Sequence, residues 1–291
     1  MKFSLRGCAT ALVTPFKNGG VDYDAFINLV FRQVDGGVDI LMPLCTTGET
    51  PALSLEEKVK LLQLTRDAAP LKPVIVGAGT NSLQGTLNAI RELEPYGPDA
   101  FLIVVPYYNK PTQEGMYQYF KAVAESTAIP LMIYNVPGRT GANMLPDTVL
   151  RLARDVPSII GIKEASGNYS QACEIIRRAP EGFSVMSGDD DLTLALLATG
   201  ASGVVSVASN AAPADVSKMV HSALDGDFAA AREMHMQLWP LFKACFVESN
   251  PVPVKAALSV MGCCSAEVRL PLSEASEGTF ELMRKVVSDL K

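Results

Sequence analysis

Eight apolar runs recur along the first two thirds of the chain, and they constrain the fold more than any other feature. They are rich in Val and Ile and do not alternate with polar residues, which is typical of strands buried on both faces. Segments with a helical pattern separate them. The runs cover residues 7–15, 40–45, 73–79, 100–108, 130–137, 159–166, 183–190 and 203–210.

This alternation of strands and helices predicts an α/β fold, a (β/α)8 TIM barrel with a C-terminal helical extension. An open doubly wound sheet is the competing architecture, but no GxGxxG motif follows the first run. From Pro213 onward the pattern is wholly helical, which is more helix than an eighth barrel helix needs. We therefore expect a catalytic barrel domain over residues 1–224 and a C-terminal helical domain over residues 225–291.

One helix has a clear start signal. In "SLEEKVKLLQLTRDAA", Ser54 and Glu57 have the spacing of a capping box, in which each side chain bonds the other residue's backbone N–H. Leu55, Val59 and Leu62 fall on one stripe of this helix, and we expect that stripe to be buried.

Composition excludes several functions. The chain has 31 acidic and 25 basic residues, a formal charge of −6, which argues against nucleic acid or an anionic membrane as a partner. No apolar run is long enough to span a bilayer. Six cysteines without CxxC spacing predict reduced thiols and a cytoplasmic protein. His221 and His235 are the only histidines, too few for a histidine metal site or a Ser-His-Asp relay, so we expect no metal and no cofactor.

Active sites of TIM barrels lie at the carboxyl ends of the strands, so the polar residues that close the apolar runs are the candidate site residues. They are Thr46, Thr47, Gly48, Glu49, Tyr107, Tyr108, Tyr134, Lys163, Glu164, Gly188, Asp189 and Asp190.

Lys163 is the strongest of these candidates. It closes the run "IIGIK", where an ammonium loses hydration and the neutral, nucleophilic amine is favoured. Such an amine forms a Schiff base with a carbonyl substrate, a metal-free way to make and break carbon–carbon bonds. The alternative is a strand-ending lysine that snorkels to water. Arg139, in the loop "VPGRTG", suits a bidentate clamp on a carboxylate.

Several separated motifs resemble one family. "CTTGETPALSLEEK", "PYYNKPTQEGMYQYFKA", "YNVPGRTG", "GIKEASGN", "SGDD" and "FVESNPVPVKAAL" occur in the order found in the dihydrodipicolinate synthase (4-hydroxy-tetrahydrodipicolinate synthase) family. That family belongs to the N-acetylneuraminate lyase superfamily of class I aldolases. The resemblance covers essentially the whole chain.

The resemblance implies condensation of pyruvate with L-aspartate 4-semialdehyde in the diaminopimelate pathway to L-lysine. It implies that Lys163 is the Schiff-base lysine and that Tyr134, Thr47 and Tyr108 form a proton relay. The remaining implied contacts are Thr46 and Thr47 with the pyruvate carboxylate, Arg139 with the semialdehyde carboxylate, and Gly188 and the Val205 backbone with the pyruvate pocket.

The resemblance also implies a homo-oligomer, a tetramer of tight dimers in which Tyr108 reaches the neighbouring subunit's site. Two alternatives remain. One is a related aldolase or dehydratase acting on a sugar acid of the 2-keto-3-deoxygluconate or N-acetylneuraminate type. The other is a sensor that binds a 2-oxo acid without turnover, which would be expected to lose Lys163 or the tyrosines.

Two features depart from the family pattern. Cys45 stands where the motif usually has glycine, so either the turn adjusts or the thiol packs in place. Lysine feedback inhibition is predicted to be weak or absent, because Lys58 would repel the ligand and Leu55 and Gly85 offer no side-chain acceptor. The positions that correspond to the inhibitory site are Thr50, Pro51, Leu55, Lys58, Asn81, Gly85 and Tyr107.

Overall fold

The computed structural model describes residues 4–290, which form two compact units. The first contains residues 4–6 and 75–205, and the second contains residues 7–74 and 206–290. The predicted domain boundary between residues 224 and 225 stays a prediction.

The strands of the parallel sheet coincide with the eight predicted runs. Their bounds are β1 (Gly7–Ala11), β4 (Ile40–Met42), β5 (Ile75–Gly77), β6 (Ala100–Val104), β7 (Leu131–Asn135), β8 (Ile159–Glu164), β9 (Ser184–Ser187) and β10 (Gly203–Ser206). A short antiparallel hairpin, β2 (Phe16–Lys17) and β3 (Gly20–Val21), was not predicted.

Helices follow these strands. Their bounds are α1 (Tyr23–Asp35), α2 (Leu55–Ala68), α3 (Leu83–Leu93), α4 (Gln113–Glu125), α5 (Pro137–Thr140), α6 (Pro146–Asp155), α7 (Tyr169–Arg178), α8 (Thr193–Ala198), α9 (Pro213–Leu224), α10 (Phe228–Ala244), α11 (Val252–Val260) and α12 (Glu277–Ser288). The predicted fold class, a (β/α)8 barrel with C-terminal helices, is confirmed.

In the first unit the strands lie in the order β10, β9, β8, β7, β6, β5, all parallel. The pairing of β7 with β8 places Tyr134 beside Lys163 and Asn135 beside Glu164. Because successive side chains of a strand point to opposite faces, these two pairs lie on opposite faces of the sheet.

In the second unit β1 pairs in parallel with β4, and α9 packs against β1. Helix α9 also packs against α10, while α12 packs against both α10 and α11. No helix within residues 4–290 combines the length and the apolar character needed to cross a membrane.

Helix α2 begins as predicted but buries a different face. Ser54 Oγ accepts from the Glu57 N–H at 3.2 Å, and Glu57 Oε2 accepts from the Ser54 N–H at 2.9 Å, so the capping box is present. Of the predicted stripe only Leu62 is buried, while Val59 is half-buried and Leu55 is 40 % exposed. The fully buried positions are instead Leu61, Leu62 and Thr65.

Candidate active site

Lys163 is buried at the carboxyl end of β8. Only 4 % of the residue is exposed, so the side chain does not snorkel to water. Its Nζ lies 4.4 Å from the centroid of the Tyr134 ring, which is itself 6 % exposed on the neighbouring strand. The ring face supplies an electron-rich surface for a cation that has lost most of its hydration.

Gly188 leaves room for the lysine. A Cβ built at this position would lie 2.4 Å from Ala165 Cβ and 3.1 Å from Lys163 Cε, so any larger residue would displace one of them. Gly188 directly follows β9, and Val205 is fully buried in the adjacent β10. The first unit thus brings Lys163, Tyr134 and Gly188 together.

Two predicted residues lie on exposed loops of the first unit. Tyr108 follows β6 with a φ of +75° and is 87 % exposed, while its N–H donates to the Thr140 carbonyl at 3.1 Å. Arg139 lies in the short helix α5, also exposed. The left-handed backbone of Tyr108 is uncommon for a non-glycine residue.

Thr46 and Thr47 lie in a 3₁₀ turn, Thr46–Gly48, of the second unit. Thr47 is 2 % exposed, and its Oγ1 accepts from Asn250 Nδ2 at 3.0 Å. Two further hydroxyls hold the turn: Thr50 Oγ1 donates to the Cys45 carbonyl at 3.0 Å, and Thr14 Oγ1 donates to the Gly48 carbonyl at 2.8 Å.

Cys45 fits the glycine position of the motif. Its backbone is extended, with φ −96° and ψ −174°, a conformation that any residue adopts. The residue is buried at 4 % exposure, and its Sγ lies 3.7 Å from the Pro43 carbonyl oxygen. None of the six cysteines, all of which lie within the described residues, forms a disulfide bond.

A buried ion pair adjoins this turn and was missed by the sequence analysis. Glu49 follows Gly48 with a φ of +52°, and its Oε1 accepts from Lys255 Nζ at 2.7 Å. Lys255 is fully buried and also donates to the Thr14 carbonyl at 2.9 Å. Burial lowers the pKa of Lys255, and the negative charge of Glu49 opposes that shift.

Two carboxyls near Lys163 have raised pKa values. The pKa of Asp189 is raised to about 6, chiefly by burial; the positive charge of Lys163 opposes the shift, and Asp191 and Asp190 add to it. Burial also raises the pKa of Glu164, which is 2 % exposed. A buried carboxyl resists ionisation because it exchanges water for a medium that solvates charge poorly.

The positions that correspond to the inhibitory lysine site are divided between the two units. Thr50, Pro51, Leu55 and Lys58 belong to the second unit, and Asn81, Gly85 and Tyr107 to the first. At Gly85 a Cβ would lie 2.7 Å from Thr80 Oγ1 and 2.8 Å from Ser82 Oγ, so a larger residue would displace these hydroxyls.

A buried lysine near the carboxyl end of a strand, with a tyrosine ring over its amine, in a (β/α)8 barrel defines a class of proteins: barrels built for Schiff-base chemistry. Within that class, the model of the dihydrodipicolinate synthetase family matches residues 4–290, and the chain belongs to that family.

Individual relatives agree with this assignment. The 4-hydroxy-tetrahydrodipicolinate synthase of Thermotoga neapolitana is 49 % identical over 288 residues, 98 % of each chain. The crystal structure of the dihydrodipicolinate synthase of Thermotoga maritima is 46 % identical, with a TM-score of 0.97 and 99 % of each chain covered. A structure described as the first monomeric dihydrodipicolinate synthase variant is also 46 % identical, with a TM-score of 0.97 over 98 % of this chain and 96 % of that chain.

Proposed function

We propose that this protein is a lyase that condenses pyruvate with L-aspartate 4-semialdehyde, the activity of 4-hydroxy-tetrahydrodipicolinate synthase, in the diaminopimelate pathway to L-lysine. One observation carries the proposal: a lysine that is 4 % exposed lies 4.4 Å from a tyrosine ring at the carboxyl ends of paired strands. The relatives with the highest identity reported above bear the name of this activity.

The chemistry begins at Lys163. Its neutral amine adds to the ketone carbon of pyruvate to give a carbinolamine. The carbinolamine hydroxyl takes up a proton and leaves as water, which forms a protonated imine. The imine draws electrons from the methyl carbon, which loses a proton and becomes an enamine. This carbon attacks the aldehyde carbon of the semialdehyde, and the new alkoxide takes up a proton. The amino group of the former semialdehyde then attacks the imine carbon, a proton passes to the Lys163 nitrogen, and Lys163 leaves as the free amine.

Proton transfer is assigned to hydroxyl groups. A tyrosine hydroxyl is a weak acid near neutral pH, so it passes protons efficiently only within a chain of hydroxyls. We assign this relay to Tyr134, Thr47 and Tyr108. The burial of Thr47 and of Tyr134 supports the assignment, because both groups are shielded from bulk water.

Substrate binding is assigned to the polar strand ends. Thr46 and Thr47 would bind the pyruvate carboxylate, Arg139 would clamp the semialdehyde carboxylate, and Gly188 and the Val205 backbone would line the pyruvate pocket. Arg139 suits this role because a guanidinium binds a carboxylate through two parallel hydrogen bonds. The Thr46–Gly48 turn suits its role because hydroxyls and turn N–H groups bind small anions.

We further propose a homotetramer built from tight dimers, in the cytoplasm, in which Tyr108 completes the partner subunit's site. The 87 % exposure of Tyr108 within a single chain supports this arrangement. Mixing Tyr108→Phe with Lys163→Ala tests it, because each variant alone is expected to be nearly inactive. In mixed dimers one site would combine an intact lysine with a partner's intact tyrosine, so activity should return. No recovery, with mixed dimers verified by mass spectrometry, would place Tyr108 in its own subunit's site.

The proposed reaction is tested by supplying pyruvate and L-aspartate 4-semialdehyde with the downstream reductase and following NADPH oxidation. The remaining alternative is a sugar-acid aldolase, so cleavage of 2-keto-3-deoxygluconate and N-acetylneuraminate is assayed in parallel. Turnover with the semialdehyde that exceeds sugar-acid cleavage supports the proposal. Sugar-acid cleavage without turnover of the semialdehyde would overturn it.

A further inference from the structure

We propose that Glu164 is a positioning residue for Lys163, acting through a buried cluster of one carboxylate and three amides; this inference rests on the proposed function. The cluster consists of Glu164, Asn135, Gln171 and Asn143. It lies in the first unit, and its members come from β7, β8, α7 and the segment between α5 and α6.

The cluster binds the Glu164 carboxylate tightly. Its Oε1 accepts from the Ser166 N–H at 2.9 Å, and its Oε2 accepts from Asn135 Nδ2 at 3.1 Å and from Gln171 Nε2 at 3.3 Å. Asn135 is fully buried, Glu164 is 2 % exposed and Gln171 is 7 % exposed. Three donors satisfy this buried carboxylate. If it moved, it would lose these hydrogen bonds without gaining water in their place.

Backbone hydrogen bonds immediately after Lys163 join the end of β8 to β7 and to the residue that follows β9. The Glu164 carbonyl accepts from the Gly188 N–H at 2.7 Å, and the Ala165 N–H donates to the Asn135 carbonyl at 2.9 Å. The side chain of Glu164 then folds the chain back at Ser166. The carboxylate therefore sets where β8 ends, and with it the direction in which the Lys163 side chain leaves the strand.

The cluster extends to the segment that follows Arg139. Asn143 Oδ1 accepts from Asn135 Nδ2 at 2.9 Å and from Gln171 Nε2 at 3.1 Å, and Asn143 Nδ2 donates to Gln171 Oε1 at 2.9 Å. The Met144 N–H donates to Asn135 Oδ1 at 3.0 Å. Since Asn135 and Glu164 are neighbours of Tyr134 and Lys163 along paired strands, one cluster on the outer side of this pair holds both reacting side chains in register.

Glu164→Gln tests the inference. The substitution preserves the shape of the side chain, but it replaces one acceptor oxygen with an NH2 group. This NH2 group would face N–H donors, so at least one hydrogen bond of the cluster is lost. Pyruvate is mixed with the enzyme and the imine is trapped with borohydride at a series of times. The maximal trapping rate should fall by about 10- to 100-fold, since misplacement of a reacting group by about 1 Å has effects of this size. The half-saturating pyruvate concentration should stay within about 2-fold, because the Glu164 side chain bonds Ser166, Asn135 and Gln171, none of which is assigned to the pyruvate carboxylate.

The control is Glu181→Gln, the same change at an exposed glutamate of the same unit, which should trap pyruvate at the wild-type rate. A purely structural role predicts a lower melting temperature for Glu164→Gln with an unchanged trapping rate, and that result would overturn the inference. If Glu164→Gln does not fold, Gln171→Leu decides the question. Of the three donors to Glu164 it removes only the one at 3.3 Å, together with the two hydrogen bonds between Gln171 and Asn143. Slower trapping by Gln171→Leu supports the inference, and a wild-type rate refutes it.

The wild type separates this inference from the proposed function. If the wild type traps no pyruvate, the Schiff-base chemistry itself is refuted. If the wild type traps pyruvate and Glu164→Gln traps it equally fast, only the positioning role is lost.

Discussion

Removing one partner of the buried Lys255–Glu49 pair should strongly destabilise the protein. Lys255→Met keeps the length of the side chain and deletes the charge, which leaves Glu49 with the Arg269 N–H at 2.9 Å but without its cation. The side chains are 0 % and 2 % exposed, so water cannot replace the lost partner. Breaking a pair of this kind costs about 3–5 kcal/mol.

This loss of free energy converts into a measurable shift in melting temperature. At about 2.1 cal/mol/K of unfolding entropy per residue, 291 residues give about 0.6 kcal/mol/K, so Tm should fall by about 5–8 °C. Thermal unfolding followed by circular dichroism measures the shift, and urea titration measures the free energy of unfolding directly. The double variant Lys255→Met/Glu49→Gln should recover at least half of the loss, because no uncompensated charge stays buried.

Lys121→Met is the matched control. Lys121 Nζ lies 3.9 Å from Glu125 on the surface of α4, with 46 % and 66 % of the two side chains exposed. A surface pair of this spacing is worth about 0.3–0.5 kcal/mol, so the control should hardly change Tm. A Lys255→Met variant whose Tm falls no further than that of the control would contradict the expected contribution of the buried pair. So would a double variant that loses the full sum of its single changes.

Three further outcomes are expected. Gly188→Ala should still fold, with a stability lower by about 1–3 kcal/mol. It should trap pyruvate far more slowly than the wild type, because the new Cβ would lie 3.1 Å from Lys163 Cε. Trapping at the wild-type rate would contradict this expectation. The pKa of Asp189 is raised from 3.8 to about 6, so the contribution of this carboxyl to stability is fully present below about pH 4 and is lost as the pH rises through 6. The free energy of unfolding should differ by about 3 kcal/mol between these two limits. In urea titrations, Asp189→Asn should therefore be more stable than the wild type at pH 7.5 and equally stable at pH 4. A stability difference that does not change with pH would show that the pKa of Asp189 is not raised. L-Lysine should inhibit weakly or not at all in the coupled assay, and full inhibition below the millimolar range would reject this prediction.

The fold could be predicted because its signals are local. Strands buried on both faces must be apolar throughout, so the eight runs were visible without knowledge of their neighbours. The capping box at Ser54 is equally local. Which face of α2 is buried depends on the elements that pack against it, and the helix's own sequence does not show them. Leu55 was therefore predicted to be buried although it is exposed. The hairpin of β2 and β3 had a signal that was overlooked: Asn18 and Gly19 both have positive φ, at 54° and 80°, and Asn-Gly is a favoured hairpin turn.

The site could be predicted only in part. Lys163 was identifiable because a charged residue closed an apolar run. Asn250 and Lys255 were not, because their partners Thr47 and Glu49 lie 203 and 206 residues away in sequence. Glu164 was among the candidates. Its cluster depends on side-chain amides from three other segments, which no spacing in the sequence reveals.

The most direct test of the account is to identify the residue that captures pyruvate. The protein is incubated with pyruvate, reduced with borohydride, digested and mapped by mass spectrometry, with Lys163→Ala in parallel. One reduced pyruvate is expected on Lys163 in the wild type and none on the variant, and the variant should lose its condensation activity. An adduct on another lysine, or condensation that persists without Lys163, would contradict the central claim that this buried amine carries the reaction.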